Sequence, residues 1–247
     1  MRNFLFKIKY DGSAFHGWQI QPNGFTVQQA VKDAVGRIFN QDVTVNGCSR
    51  TDAGVNANEF CFNCRIETEM TCERIINALN AVLPDEAVIF HCEETDTDFH
   101  ARFDCKGKEY VYLIDNSPYG NPFLKNRAYH YKYSLDEKLL DREAKAFIGK
   151  HDFAAFCASG SSVEDTVREV FSFDVVRNGD MVEFRVSGDG FLYNMVRIMV
   201  GTLIDISRGK IPVNDLERII ASKSRKEAGV TAPSEGLYLN KVFYEDI

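Results

Sequence analysis

No stretch of this chain is both apolar enough and long enough to cross a bilayer. The most apolar segment, Phe191 to Ile206, is broken by Asn194, Arg197 and Asp205 and is shorter than the roughly 20 residues a spanning helix needs. The opening residues, Met1 to Tyr10, hold too short an apolar run for a signal peptide. A cytoplasmic protein with no membrane attachment is expected. Positive charge is also in deficit: 29 Lys and Arg stand against 36 Asp and Glu, a net charge of −7. That balance argues against a protein that coats nucleic acid indiscriminately. Metal-ligand patterns are scarce. The seven cysteines are scattered through apolar runs, as reduced and mostly buried thiols would be. Cys61-Phe-Asn-Cys64 has no second pair to complete a zinc set, and at odd spacing on a strand its sulfurs face opposite ways. Asp96 and Asp98 read as loop residues that cap turns, so no metal site is expected. His151 has neither a second histidine nor a Ser or Cys nucleophile in pattern with it and is read as a turn or core residue.

With 247 residues the chain can bury a sizeable core, as one large domain or two of ordinary size. Phe4, Phe6, Ile8 and Tyr10 alternate as a strand does. Thr26-Val-Gln-Gln29 is a capping box, opening a helix with Val27, Ala30, Val31, Ala34 and Ile38 on one face. Val43 to Val45 and Glu59 to Ile66 are β-patterned, Thr71 starts a second helix, and Ala87 to Cys92 is another strand. The order β-α-β-β-α-β is the ferredoxin-like arrangement. A second round follows: a strand over 108–115, a capping box at Ser134-Leu-Asp-Glu137 opening a helix to about Gly149, and strands over 168–177 and 181–187. These last two flank Asn178-Gly-Asp180, a hairpin turn. A helix over 191–208, a short helix over 214–222 and a strand over 237–244 close the round. The expected fold is α+β: two ferredoxin-like, RRM-like halves, 1–105 and 106–247, joined through mainly antiparallel sheets with a central cleft. The halves share pattern without visible sequence identity. The segment His151–Val163 carries few helix or strand signals and reads as an insertion.

Gly47-Cys-Ser-Arg-Thr-Asp-Ala-Gly-Val-Asn-Ala57 lies between two β-patterned runs. Glycines at its flanks are expected to take φ > 0 and bring the backbone close to a ligand. In isolation Asp52 would read as a turn residue bonded to nearby N–H groups. The helix at 191–206 changes that weighting. It is apolar nearly all round, so it should be buried, yet Asn194, Arg197 and Gly201 share one of its faces. A buried guanidinium needs a carboxylate. The choices are Asp189 or Asp205 nearby, or Asp52 from the other half, towards which equivalent elements of the two halves would converge. An arginine beside a desolvated Asp52 keeps it ionised and able to act as nucleophile or base. Arg102, Lys106, Lys108, Lys125, Arg127 and Lys132 also interleave with Tyr110, Tyr112, Tyr119, Tyr129, Tyr131 and Tyr133, a pattern that suits phosphate contacts with base stacking.

These residues resemble the TruA-type tRNA pseudouridine synthases. The likeness rests on the Asp52 motif, Tyr10-Asp-Gly-Ser-Ala-Phe-His-Gly-Trp-Gln19, Phe99-His-Ala-Arg-Phe103, Gly107-Lys-Glu-Tyr110, His151-Asp-Phe153, Gly190 to Gly201 and Ala232 to Leu239, in order along nearly the whole chain. It implies isomerisation of uridine to pseudouridine in the tRNA anticodon stem-loop, at positions 38–40, without cofactor or metal. It also implies a homodimer in which one tRNA touches both subunits. Asp52 matches the essential aspartate, Tyr110 the tyrosine that stacks on the target base, Arg197 the arginine that pairs with the aspartate, and Arg50 the arginine that replaces the flipped nucleotide. This chain departs from the family at Asn56, usually His, and at Phe25, often basic; both departures bear on how RNA is gripped. A non-catalytic RNA-binding protein with two RRM-like halves is the alternative. An aspartic hydrolase is excluded, since that chemistry needs two such loops sharing a proton.

Overall fold

The computed structural model describes residues 1–160 and 163–245. In chain order the elements are β1 (Arg2–Tyr10), α1 (Val27–Phe39), β2 (Asn46–Gly47), β3 (Asn56–Ile66), α2 (Cys72–Asn80), β4 (Ala87–Thr95), β5 (Gly107–Asp115), β6 (Tyr129–His130), α3 (Glu137–Ala144), β7 (Gly149–Asp152), β8 (Val167–Asn178), β9 (Met181–Gly188), α4 (Met195–Ser207), α5 (Leu216–Ser222) and β10 (Leu237–Phe243). The fold is mixed α+β with mainly antiparallel strand pairing. Two compact units emerge: Met1–Lys106 with Tyr238–Ile247, and Gly107–Leu237. The closing strand, which follows the second round in sequence, thus groups with the first unit. Among the described residues no helix is long and apolar enough to cross a membrane.

In the first unit the strand order is β4-β1-β3-β10. β1 runs antiparallel to both β3 and β4, and β10 joins β3 in parallel at Tyr238↔Asn56 and Leu239↔Ala57. The alternating Phe4, Phe6 and Ile8 are fully buried, with Phe6 stacked on Phe62 at 4.9 Å. α1 begins where the capping box placed it: Thr26 accepts from the Gln29 N–H. Its buried face is Val27, Ala30, Val31, Ala34 and Val35, and Ile38 is only half-buried. Val43 to Val45 is not a strand. Both valines are buried, but the Val45 carbonyl accepts from the Gln28 side chain at 2.9 Å, and the paired segment is Asn46–Gly47. The alternation reports burial without a ladder.

Cys61 and Cys64 lie buried on β3. Burial pushes the Cys64 thiol up to about 12 and raises Cys61 as well. Thiolate is the reactive form. Iodoacetamide at pH 8 is therefore expected to modify the half-exposed Cys72, Cys105 and Cys157, leaving Cys61 and Cys64 until the chain is unfolded. Peptide mass spectrometry reads the order, and early labelling of Cys61 or Cys64 would contradict the packing.

In the second unit the order is β5-β9-β8-β7, with β6 parallel to β5. The β8–β9 hairpin closes over Gly179-Asp180, the Asn178↔Met181 pair facing each other. Gly179 has φ +59°, as the first central residue of a type II′ turn requires. Four sequence expectations need correction here. α3 is capped by Asp136, whose carboxylate accepts from Lys138 and Leu139, in place of Ser134. Its α-helical part ends at Ala144 and passes into a 3-10 turn over Lys145–Phe147, after which Gly149, at φ +105°, opens the four-residue strand β7 against β8. His151 sits on that strand, a ring nitrogen bonded to the Ile148 carbonyl at 3.0 Å, so the segment read as an insertion starts with regular structure. Ser161 and Ser162 of that segment lie outside the described residues. α4 starts at Met195, since Asn194 adopts a left-handed conformation, φ 61°, and residues 191–194 form its approach.

Candidate active site

The Asp52 loop is held by the segment that follows β1. Trp18 donates its backbone N–H to the Thr51 carbonyl at 3.1 Å, and Gly54 donates to the Phe15 carbonyl at 3.4 Å. The Tyr10 hydroxyl bonds the Thr51 hydroxyl at 2.8 Å within the core. A turn from Asp52 O to Val55 N, 3.1 Å, leaves Asp52 half-buried and Arg50 exposed. Of the two flanking glycines, only Gly54 takes positive φ, at +77°. Gly47 is needed for a different reason: a Cβ there would lie 2.4 Å from the Trp18 indole nitrogen. That indole is itself stacked on Phe60 at 4.0 Å. Gly17, at φ +80°, lies so close beneath the loop that a Cβ would meet the Thr51 carbonyl at 2.4 Å. The only tryptophan and two glycines thus fix the backbone that carries Asp52.

Asn56 is buried, and its Oδ1 accepts from the Gly12 N–H at 2.8 Å. It therefore joins the start of β3 to the loop after β1. Asn56→Ala strands a buried donor, and a loss of about 1–3 kcal/mol is expected, measured as a shift in the urea midpoint; an unchanged midpoint would show that the bond contributes nothing. Phe25 is about half exposed, its ring 5.8 Å from that of Phe15.

Tyr110 and Arg197 both belong to the second unit, on separate supports. Tyr110 projects from β5, is 6% exposed and meets Phe191 edge-on, ring centroids 5.1 Å apart. Arg197 is on the first turn of α4. Its Nε donates to the Ala232 carbonyl at 2.7 Å, and one Nη donates to Asn194 Oδ1 at 2.7 Å. The local carboxylates offered by sequence have other partners: Asp205 takes Lys210 at 2.8 Å, and Asp189 accepts from the Glu169 N–H at 2.9 Å. The segment that holds Arg197 was not singled out from its chemistry. Ala232 returns its N–H to the Arg197 carbonyl at 3.0 Å, and the Pro233 carbonyl accepts from the Tyr112 hydroxyl at 2.8 Å. Burial raises Tyr112 well above the usual phenol range, against the opposing pull of the Arg197 charge, so it remains a donor. The only hint in sequence was the position of Ala232–Leu239 among the ordered motifs.

The six interleaved tyrosines do not form one surface. Tyr110, Tyr112 and Tyr131 are buried, whereas Tyr119 and Tyr133 are exposed.

Comparison with known proteins finds relatives along nearly the whole chain. The sequence profile of a family described as tRNA pseudouridine synthase matches residues 7–104 and 144–245. The tRNA pseudouridine synthase A of Acetivibrio thermocellus is 46% identical over 244 residues, 99% of this chain and 100% of that protein. Proteins of the same name from Ruminiclostridium cellulolyticum and a Thermoanaerobacter species are 43% and 41% identical, each over 99% of this chain and all of their own length.

Proposed function

The chain belongs to the tRNA pseudouridine synthase family, and we propose that the uridines it isomerises lie in the anticodon stem-loop of tRNA, at positions 38–40. The observation that carries the reading is the Asp52 loop, a carboxylate on a turn clamped from beneath by Trp18, Phe15 and Tyr10. Such pre-organisation serves a group that must meet a reacting atom in one geometry.

In the proposed reaction the target uridine leaves its stack, at a cost of roughly a few kcal/mol. Arg50 fills the gap and Tyr110 holds the base by its face. The N1–C1′ bond breaks, the uracil turns, and C5 bonds to C1′; C5 then gives up its proton and N1 gains one. Asp52 acts on the sugar, by adding to it or by removing a proton. Arg197 keeps Asp52 ionised, and its bonds to Ala232 and Asn194 support a fixed orientation. On this reading the first half carries the Asp52 loop and the second supplies Tyr110 and Arg197. The order β1-α1-β2-β3-α2-β4 supports a ferredoxin-like reading of the first. The protein is proposed to work in the cytoplasm as a homodimer on tRNA.

The test is tritium release from tRNA labelled at C5 of uridine. Release to solvent in proportion to pseudouridine formed is expected. Binding of the tRNA with no release would instead identify an RNA-binding protein without catalysis.

A further inference from the structure

The connection between β5 and β6, residues 116–128, is ordered by its own hydrogen bonds and yet displays two large aromatic rings. Asp115 is buried, and its carboxylate accepts from the Ser117 N–H at 3.1 Å and the Asn121 N–H at 2.9 Å. Asn121 in turn accepts from the Phe123 N–H at 3.0 Å. The Asn116 amide donates to the Tyr131 and Tyr133 carbonyls at 2.6 and 2.8 Å. Gly120, at φ +77°, donates its N–H to the Ser117 hydroxyl at 3.1 Å. On this frame Tyr119 is 96% exposed and Phe123 87%. A rigid loop does not leave two rings in water for the sake of its own packing; such display marks a docking surface.

Charge selects the partner. Between Asp115 and Asp136 the chain has no acidic residue, although acids outnumber bases overall. The same stretch holds Lys125, Arg127 and Lys132, all on exposed positions. Lys132 and Arg208 both lie over the Tyr133 ring, at 5.4 and 5.2 Å, which concentrates positive charge beside the loop. Exposed rings among cations, on a stretch with no acidic residue of its own, fit a polyanion with unpaired or splayed bases.

We propose that this loop is an RNA-binding surface of the second unit, in which Tyr119 and Phe123 stack on bases or riboses of the tRNA and Lys125 and Arg127 meet its phosphates. The proposal rests on the tRNA reading above. It concerns grip, and it assigns none of these residues to the reacting uridine.

The experiment measures the Kd of the whole protein for unmodified tRNA across a salt series, for wild type, Tyr119→Ala with Phe123→Ala, and Lys125→Gln with Arg127→Gln. Circular dichroism and the thermal midpoint verify the fold of each variant. The aromatic pair is expected to weaken binding at least about fivefold, the lower end of one base stacked on one ring. The cation pair is expected to weaken binding and to flatten the slope of log Kd against log salt by about one for each phosphate no longer neutralised. Folded variants with unchanged Kd and slope would overturn the proposal. So would unchanged tRNA binding with a weakened self-association in sedimentation, which would make the loop a protein interface. Because the readout is binding, the outcomes separate. Wild type that binds tRNA without isomerising it would sink the functional reading alone, and unchanged Kd in variants of an active enzyme would sink the loop alone.

Discussion

Asp52→Asn is expected to leave the protein folded and bound to tRNA while lowering single-turnover isomerisation at least about 10³-fold, or about 4 kcal/mol of barrier. The amide has the shape of the carboxylate but neither its charge nor its basicity. The loop's backbone is held by Trp18, Phe15 and Val55 through main-chain bonds, which the substitution leaves in place. Its side-chain support comes from Tyr10 on Thr51. A rate loss with unchanged Kd would assign the effect to the chemical step. A variant retaining more than about a tenth of the rate would remove Asp52 from the reaction, since general acid–base roles alone typically contribute 10²–10⁴-fold.

Gly201→Ala gives the second large effect, and its sign separates two accounts of the same residue. Judged by helix propensity, replacing a mid-helix glycine by alanine should stabilise the protein by about 1 kcal/mol. The surroundings predict the reverse. A Cβ at Gly201 would stand 1.8 Å from the Val230 carbonyl oxygen and 2.8 Å from its carbon. That segment has little room to retreat: Gly229 donates to the Thr202 hydroxyl at 2.9 Å, Val230 to Asp205 at 3.3 Å, and Ala232 to the Arg197 carbonyl at 3.0 Å. Overpacking of this kind costs about 1–3 kcal/mol, and each displaced hydrogen bond adds about 1 more. A net loss of about 3 kcal/mol is expected, lowering Tm by about 6–12 °C. Activity below the transition should fall too, because the Arg197 Nε is bonded to the Ala232 carbonyl. A raised Tm would show that the segment yields and that propensity governs the site.

How much of this was legible beforehand depended on the range of the interaction. The Thr26 cap and the turn at Gly179 are local chemistry, and both stand where sequence put them. The burial of α4 follows from composition, and eleven of its residues, Asp205 and Thr202 among them, are buried. Strand β7 was illegible because Gly149, Lys150, His151 and Asp152 carry no alternation; they pair because β8 offers an edge. Val43 and Val45 mislead in the opposite way, being buried like a strand but bonded by the Gln28 side chain. At the site, the residues proposed for the chemistry were read from their motifs, whereas the parts that hold them were not. Gly47 read as a residue taking φ > 0 close to a ligand, yet its φ is not positive and it makes room for Trp18. The bond of Tyr112 to Pro233 spans 121 positions, which no local pattern encodes. The departure at Asn56 read as a matter of RNA grip, and nothing in sequence showed that its side chain secures the Gly12 backbone.

The most direct measurement is to incubate purified protein with unmodified tRNA and map pseudouridine nucleotide by nucleotide. The account predicts new pseudouridine in the anticodon stem-loop, at positions 38–40 where these are uridine, and none in tRNA incubated without protein. Pseudouridine appearing only elsewhere in the molecule, or none appearing while the tRNA stays bound, would contradict it.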